Sequence, residues 1–287
     1  MNRQTHPAIL VRWPVLLAVV ALALVMVRGL DAHDLFLKPE AFFLAPNTEL
    51  RLRVLNGTFT TSEAGVTRER LRDLRLAGPA GVTQGDTAAW QTREKESRWR
   101  IRVGEAGTYV GGASLLPRVL RLEAKEFNAY LAEDGIADVL ADRRRSRELD
   151  LPARERYSKH VKALVSVGQG SSSGSDTAYR AQFGYPAELI PVDNPYRLRP
   201  GATLRVRALV DGAPVANQIV LAGGHTARGE KIRERQTRTD SAGIARVLLR
   251  SSGVWYVKFI RMRRVEVVAS DSVDYESKWA TLTFALR

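Results

Sequence analysis

Four histidines and no cysteine bound the metal chemistry open to this 287-residue chain. Without cysteine there is neither a disulfide nor a thiolate ligand. Imidazoles, carboxylates and amines are the donors that remain. The histidines are His6, His33, His160 and His225. His33 stands in "RGLDAHDLFLKP", directly after an apolar segment. A cut after Ala32 makes it the first residue, with an α-amine and an imidazole for one ion. The α-amine has a pKa of about 7.7–8, against about 10.4 for lysine. Freeing it at neutral pH costs about 1–1.4 kcal/mol, little beside the affinity of a transition metal. A cut after Leu30 begins the chain Asp31-Ala32-His33. The amine, two deprotonated amides and the third-position imidazole then form a square-planar set suited to Cu(II) or Ni(II). A cut after Gly29 removes both arrangements, and an uncut His33 simply enters the first strand. His160, in "RYSKHVKALV", opens a strand, and His225, in "LAGGHTARGEK", follows two glycines in a hairpin loop. These two join His33 as ligands for nickel, cobalt or copper only where the fold brings them near.

Other chemistry is sparse. "GSSSG" (170–174) matches G-x-S-x-G, but a nucleophile elbow needs a strand, a strained turn and a helix. Low-complexity sequence surrounds Ser172 instead, so it is not expected to be a nucleophile. Asp271, Asp274 and Glu276 in "SDSVDYESKW" read as a solvated acidic turn. No phosphate-binding loop, G-x-G-x-x-G or H-E-x-x-H is present. The reading is a non-enzymatic protein.

The segment ahead of His33 has the layout of a secretory signal peptide, residues 1–32. Arg3 and Arg12 precede an apolar run from Val15 to Val27, and the small residues Gly29 and Ala32 follow it. The run is short of the roughly 20 apolar residues that span a bilayer. Export to a periplasm is expected.

The chain carries 44 Lys+Arg against 31 Asp+Glu, a net charge of +13. Strict alternation shows where much of this charge goes. "ELRLRVL", "RWRIRV" and "TLRVRALV" put apolar residues on one face and arginines on the other. Such solvent faces suit an anionic envelope polymer, and they also keep strands from pairing with strangers. Nucleic acid is not expected, since no nucleic-acid module is legible.

Strands are predicted near 49–55, 71–77, 98–103, 107–113, 161–167, 203–210, 219–222, 244–249, 254–261 and 281–286, separated by Gly, Pro, Asn and Asp turns. The fold class is all-β dominated: two immunoglobulin-like β-sandwich domains, with a short helical hairpin inserted in the first. The hairpin, about 123–148, pairs a stripe of Phe127, Tyr130 and Leu131 with one of Ile136, Val139 and Leu140, broken at Asp134-Gly135. "DRRRSRELDLPARER" reads as its exposed return. The expected domains are 33–168 and 185–287, joined by a flexible linker at 169–184 around "GQGSSSGSD".

Longer blocks carry a resemblance. "AHDLFLKP", "EFNAYLAEDG", "RERYSKHVKALVSVG", "PAELIPVDNPYRLRPG", "TRTDSAGIARVLL", "GVWYVKFIRM" and "DYESKWATLTF" span the mature chain in order. Together they resemble an uncharacterised periplasmic domain-of-unknown-function family related to nickel-uptake accessory (NikM-like) proteins. The resemblance implies immunoglobulin-like β architecture, export, and nickel or cobalt handling beside an envelope metal transporter or outer-membrane receptor. It also implies cleavage before His33. Some relatives carry a histidine in the block where this chain has Arg261. A cation there repels a bound metal by about 4 kcal/mol per unit charge pair at 4 Å and an effective dielectric of 20. Glycosidase labels on some relatives are not carried over, because no carboxylate pair can be placed across a sugar bond.

Overall fold

A computed structural model describes residues 33–169, 176–266 and 273–287. The expected signal segment 1–32, Ser172 and Asp271 lie outside the described residues. Asp34–Arg287 forms one compact unit, and His33 falls with the segment before it.

The fold is mostly β. Among the described residues the strands form three sheets. The first, of four strands, runs in the order β1 (Asp34–Pro39), β3 (Glu49–Gly57), β7 (Glu96–Arg102) and β6 (Trp90–Arg93). The second has ten strands. Its main path is β15 (Lys231–Arg238), β14 (Ile219–Thr226), β17 (Gly253–Arg264), β18 (Tyr275–Leu286), β10 (Ala153–Val167), β8 (Gly107–Leu115), β4 (Leu71–Gly78) and β5 (Gly81–Gln84). The short β2 (Phe43–Leu44) and β9 (Arg118–Leu122) also pair with β10. The third sheet holds β11 (Ala187–Pro191), β12 (Thr203–Val210), β13 (Ala213–Pro214) and β16 (Ile244–Leu248). The ten-stranded sheet takes strands from both sides of the boundary expected near 169–184. Its two halves meet where β10 and β18 run parallel over nine paired residues, from Glu155↔Tyr275 to Ala163↔Thr283.

Alternation explains the layering. In β3, Leu50, Leu52 and Val54 turn inward while Arg51 stays exposed. They meet Val161, Ala163 and Val165 of β10 in one core, so the first sheet covers one face of the central sheet. Leu164 of β10 points the other way. It joins Leu204, Val206 and Ala208 of β12 and Val257, Phe259, Leu282 and Phe284 in a second core under the third sheet.

The helical hairpin forms where expected, as α1 (Ala124–Glu133) and α2 (Ala137–Arg145). Phe127, Tyr130, Leu131 and Ile136 are buried. Its return is not simply exposed, because Arg143 is only 2% exposed. Its guanidinium donates to Asn128 Oδ1 at 3.0 Å and to the carbonyls of Glu148 and Leu151 at 2.7 and 2.6 Å. It also lies over the Phe127 ring, 4.9 Å from the centroid. One charge thus ties the loop after α2 to α1, and the run of arginines hides it from sequence. Residues 176–184 of the expected linker are likewise held. Asp176 Oδ2 accepts from the Thr108 amide and hydroxyl at 3.0 and 2.6 Å, and Tyr179 is buried.

Candidate functional site

Lys258 lies midway along β17, among apolar neighbours, with its side chain 6% exposed. Its ammonium faces three carboxylates from three other places in the chain. Asp34 Oδ2, from the start of β1, is at 2.5 Å. Asp134 Oδ1, from the end of α1, is at 3.5 Å, and Glu234 Oε2, from β15, is at 3.6 Å.

Local backbone geometry aims each acid. Asp34 pairs with Gly57 at the first register position between β1 and β3. The Thr281 hydroxyl donates to the Leu35 carbonyl at 2.9 Å, fastening β1 over β18. Thr281 is also the partner of Lys258 across β17 and β18. Asp134 ends α1 because Gly135 follows at φ +73°, the left-handed conformation that closes helices, with the Ile136 amide bonded back to the Leu131 carbonyl at 2.9 Å. Glu234 owes its direction to an irregularity in register. The pairing steps from Ala222↔Arg235 to Gly224↔Ile232, so two β15 residues lie opposite Gly223. A bulge of this kind re-aims a side chain. Glu234 accepts from the Tyr256 hydroxyl at 2.9 Å. A Cβ on Gly223 would sit 2.6 Å from that hydroxyl oxygen, so glycine makes the room.

Electrostatics make the cluster a single unit. Burial works against the Lys258 charge, but Asp34, Asp134 and Glu234 outweigh it and raise its pKa. Burial, and next the charge of Asp34, push Asp134 up to about 7 against the pull of Lys258. Asp34 Oδ1 is buried without a hydrogen-bond partner among the described residues. With all its acids ionised, the group carries two net negative charges at the point where β1 begins.

The histidines fare differently. His160 is 2% exposed, with Nδ1 2.8 Å from the Ser114 hydroxyl and Nε2 3.0 Å from that of Ser158. Burial, then the charge of Arg72, lowers its pKa to about 3. It is a neutral core histidine with both ring nitrogens occupied. His225 belongs to β14 rather than to a loop and stacks on Phe59 at 5.9 Å. Its Nδ1 is buried without a hydrogen-bond partner among the described residues. Partial burial, with Lys38 and Lys231, lowers its pKa. The structure does not bring His160 and His225 together. His160 pairs with Ala280, while His225 pairs with Val254, itself opposite Ala285. Three strand spacings and five residues separate them, roughly 20 Å. Their rings also pack on different faces of the sheet, His160 against Tyr185 and His225 against Phe59. Among the described residues no three His, Asp or Glu are grouped to hold a metal. The three-histidine set therefore does not fit a metal ion.

A second buried carboxylate lies under the hairpin. Glu155, 1% exposed, accepts on Oε1 from the Tyr130 hydroxyl at 3.1 Å and from the Ser277 hydroxyl. Its Oε2 has no hydrogen-bond partner among the described residues. Burial raises its pKa to about 7, although the hydrogen bonds from Ser277 and Tyr130 and the charge of Lys159 pull it down. A carboxylate raised in the folded state binds more protons there than when unfolded. Its contribution to stability therefore falls as pH rises from about 4.5 to about 7. Glu155→Gln is expected to remove that dependence, on the order of 2–3 kcal/mol between pH 4.5 and 8. Urea unfolding at both pH values reads it; an unchanged difference between wild type and variant refutes the role given to Glu155.

The acidic turn also resolves. The Asp274 carboxylate accepts from the Arg154 amide at 2.7 Å, and Glu276, in β18, pairs with Arg263 at 2.7 Å. Both are structural contacts.

Residues 30–263 match the model of a family described as Domain of unknown function (DUF4198). The chain belongs to the DUF4198 family. The DUF4198 match runs from just ahead of β1 almost to the end of β17, so it contains Asp34, Asp134, Glu234 and Lys258 together. No curated protein matches the sequence.

Lys258, Asp34, Asp134, Glu234 and Tyr256 were not legible as a site. The one signal was Lys258 itself, a charge inside the apolar run "GVWYVKFIRM".

Proposed function

We propose that this chain is an exported, non-enzymatic accessory protein that captures nickel, cobalt or copper at its processed amino terminus. It would pass the ion to an envelope metal transporter or outer-membrane receptor, in keeping with the NikM-like resemblance. In this reading the leader 1–32 is removed in the periplasm, and the two halves of the mature chain are immunoglobulin-like sandwiches. The observation that carries it is the acidic cluster at the start of β1. Asp34 is anchored to Lys258, keeps one carboxylate oxygen unpaired, and has Asp134 and Glu234 beside the same lysine. A new terminus at His33 would be peptide-bonded to that anchored residue. Net negative charge favours a cation, and an anchored strand lowers the entropy cost of chelation.

The chemistry the ion supplies is coordination alone. His33 would hold it through its amine and imidazole. His160 takes no part, because both of its nitrogens are engaged. Mass spectrometry of the exported protein is expected to place the terminus at His33. Calorimetry on that form should show one Ni, Co or Cu site that is lost in His33→Ala, or when one glycine is placed ahead of His33. Absence of binding by correctly processed protein ends this reading.

A further inference from the structure

β15 and β16 are edge strands of different sheets, and a cavity of about 240 Å³ lies between them. Four arginines line it: Arg233 and Arg235 from β15, Arg246 from β16, and Arg250 just past its end. All four are exposed. Among the described residues only Arg246 of the four approaches a carboxylate, Asp240 at 3.8 Å. Some exposed arginines elsewhere have an acid close by: Arg51 has Glu49 at 2.5 Å, Arg98 has Glu96 at 2.9 Å and Arg205 has Asp193 at 2.6 Å. The acid within "RERQTR" that could neutralise this edge is Glu234. The bulge opposite Gly223 sends it to Lys258 and Tyr256 instead. Arg235 is the partner of Ala222, a residue of the core under the third sheet, so the cleft opens away from the Lys258 cluster.

Like charges gathered without counter-charges cost free energy, and an anion in the cleft relieves that cost. Guanidinium groups arriving from two sides suit a phosphate, whose several oxygens accept paired N–H donors. Gln236 and Thr237 add polar groups to the lining, and the rest of the cleft is apolar. The Trp255 ring forms part of its wall, with its N–H already given to the Ser251 carbonyl at 3.0 Å. Leu248 lies at the cavity with 42% of its surface exposed, beside two of the arginines. Trp255 has no polar group left to offer, and Leu248 has none at all, so both suit hydrocarbon rather than a wholly hydrated ion.

We propose that the cleft between β15 and β16 binds the phosphate headgroup of a lipid, with its arginines on the phosphate and its first hydrocarbon carbons against Leu248 and Trp255. This site is independent of metal capture at His33. It gives the protein a contact with an anionic membrane surface or glycolipid.

The probes are dihexanoyl phosphatidic acid, a soluble short-chain lipid, dihexanoyl phosphatidylcholine and inorganic phosphate, titrated calorimetrically into the full chain. One saturable phosphatidic acid site is expected, with the other two probes at least tenfold weaker. Arg233→Gln/Arg246→Gln should weaken phosphatidic acid at least tenfold. Arg100→Gln/Arg102→Gln, which removes the same charge from exposed positions of β7, should leave it within twofold. Leu248→Asn should weaken phosphatidic acid severalfold and leave inorganic phosphate unchanged. Equal losses in the two double variants would reduce the effect to net charge and overturn the site. Equal affinity for inorganic phosphate would overturn the lipid. No saturable binding would overturn both.

Discussion

Lys258→Met is expected to destabilise the fold by about 3–5 kcal/mol at pH 8, the usual cost of stranding buried charge. The variant keeps the volume and removes the cation, leaving Asp34, Asp134 and Glu234 facing one another from β1, the hairpin and β15. The loss should shrink toward pH 5. Asp134 already has a pKa of about 7, so its folded form takes up a proton that the unfolded chain takes up only near pH 4. Without Lys258 that pKa rises further, and protonation at pH 5 removes one of the opposed charges. Urea unfolding at pH 5 and pH 8 checks both parts. A loss below about 1 kcal/mol, or one equal at the two pH values, would mean that Lys258 does not join the three elements. Adding Asp134→Asn to Lys258→Met should recover part of the loss at pH 8 and little at pH 5.

Glu188→Leu is expected to cost a similar 3–5 kcal/mol, with the opposite response to pH. Glu188 pairs with Lys162 inside the second core, their side chains 1% and 3% exposed. It also accepts from the Phe183 amide at 3.0 Å and the Tyr185 amide at 2.9 Å. Burial lowers the Lys162 pKa, against the charge of Glu188. Removing Glu188 lowers it further. An amine lowered in the folded state binds fewer protons there than when unfolded, so the variant regains stability as pH rises. The penalty should therefore be larger at pH 6 than at pH 9. Lys162→Met/Glu188→Gln should be milder than Glu188→Leu, because glutamine can still accept from the two amides. A double variant as unstable as Glu188→Leu would place the cost in those amides and not in the ion pair.

Lys258 and Lys162, both buried, show what a linear reading misses. Both interrupt apolar strand sequence, and neither is marked there as a buried charge. Lys258 answers to acids 124 and 224 residues away in the chain, and Lys162 to one beyond the Gly/Ser stretch. Nothing local announces such partners. His225 was misplaced for a related reason. "LAGGHTARGEK" looks like a loop because its glycines favour turns. In the fold Gly223 clears the Tyr256 hydroxyl, while Gly224, at φ +154°, lies against the Val254 carbonyl, so the strand runs on to Thr226. β15, "KIRERQTR", was missed altogether. As an edge strand it alternates weakly, and its charged side chains are what protect such an edge from pairing.

The β character, most central strands and the hairpin around Gly135 were legible in the chain alone, because period-two and helical patterns and left-handed turns are local properties. Residue order also singled out His33, because the expected cut after Ala32 would leave it at the amino terminus. Tertiary structure decided which charges are buried and with whom. It closed His160 between two serines and separated it from His225. It used a bulge to give Glu234 to Lys258 and to leave the arginines of β15 without it. It attached Asp34, the residue after His33, to an acidic cluster drawn from four elements. Those outcomes depend on strand order and register across long sequence separations, and local patterning does not contain them.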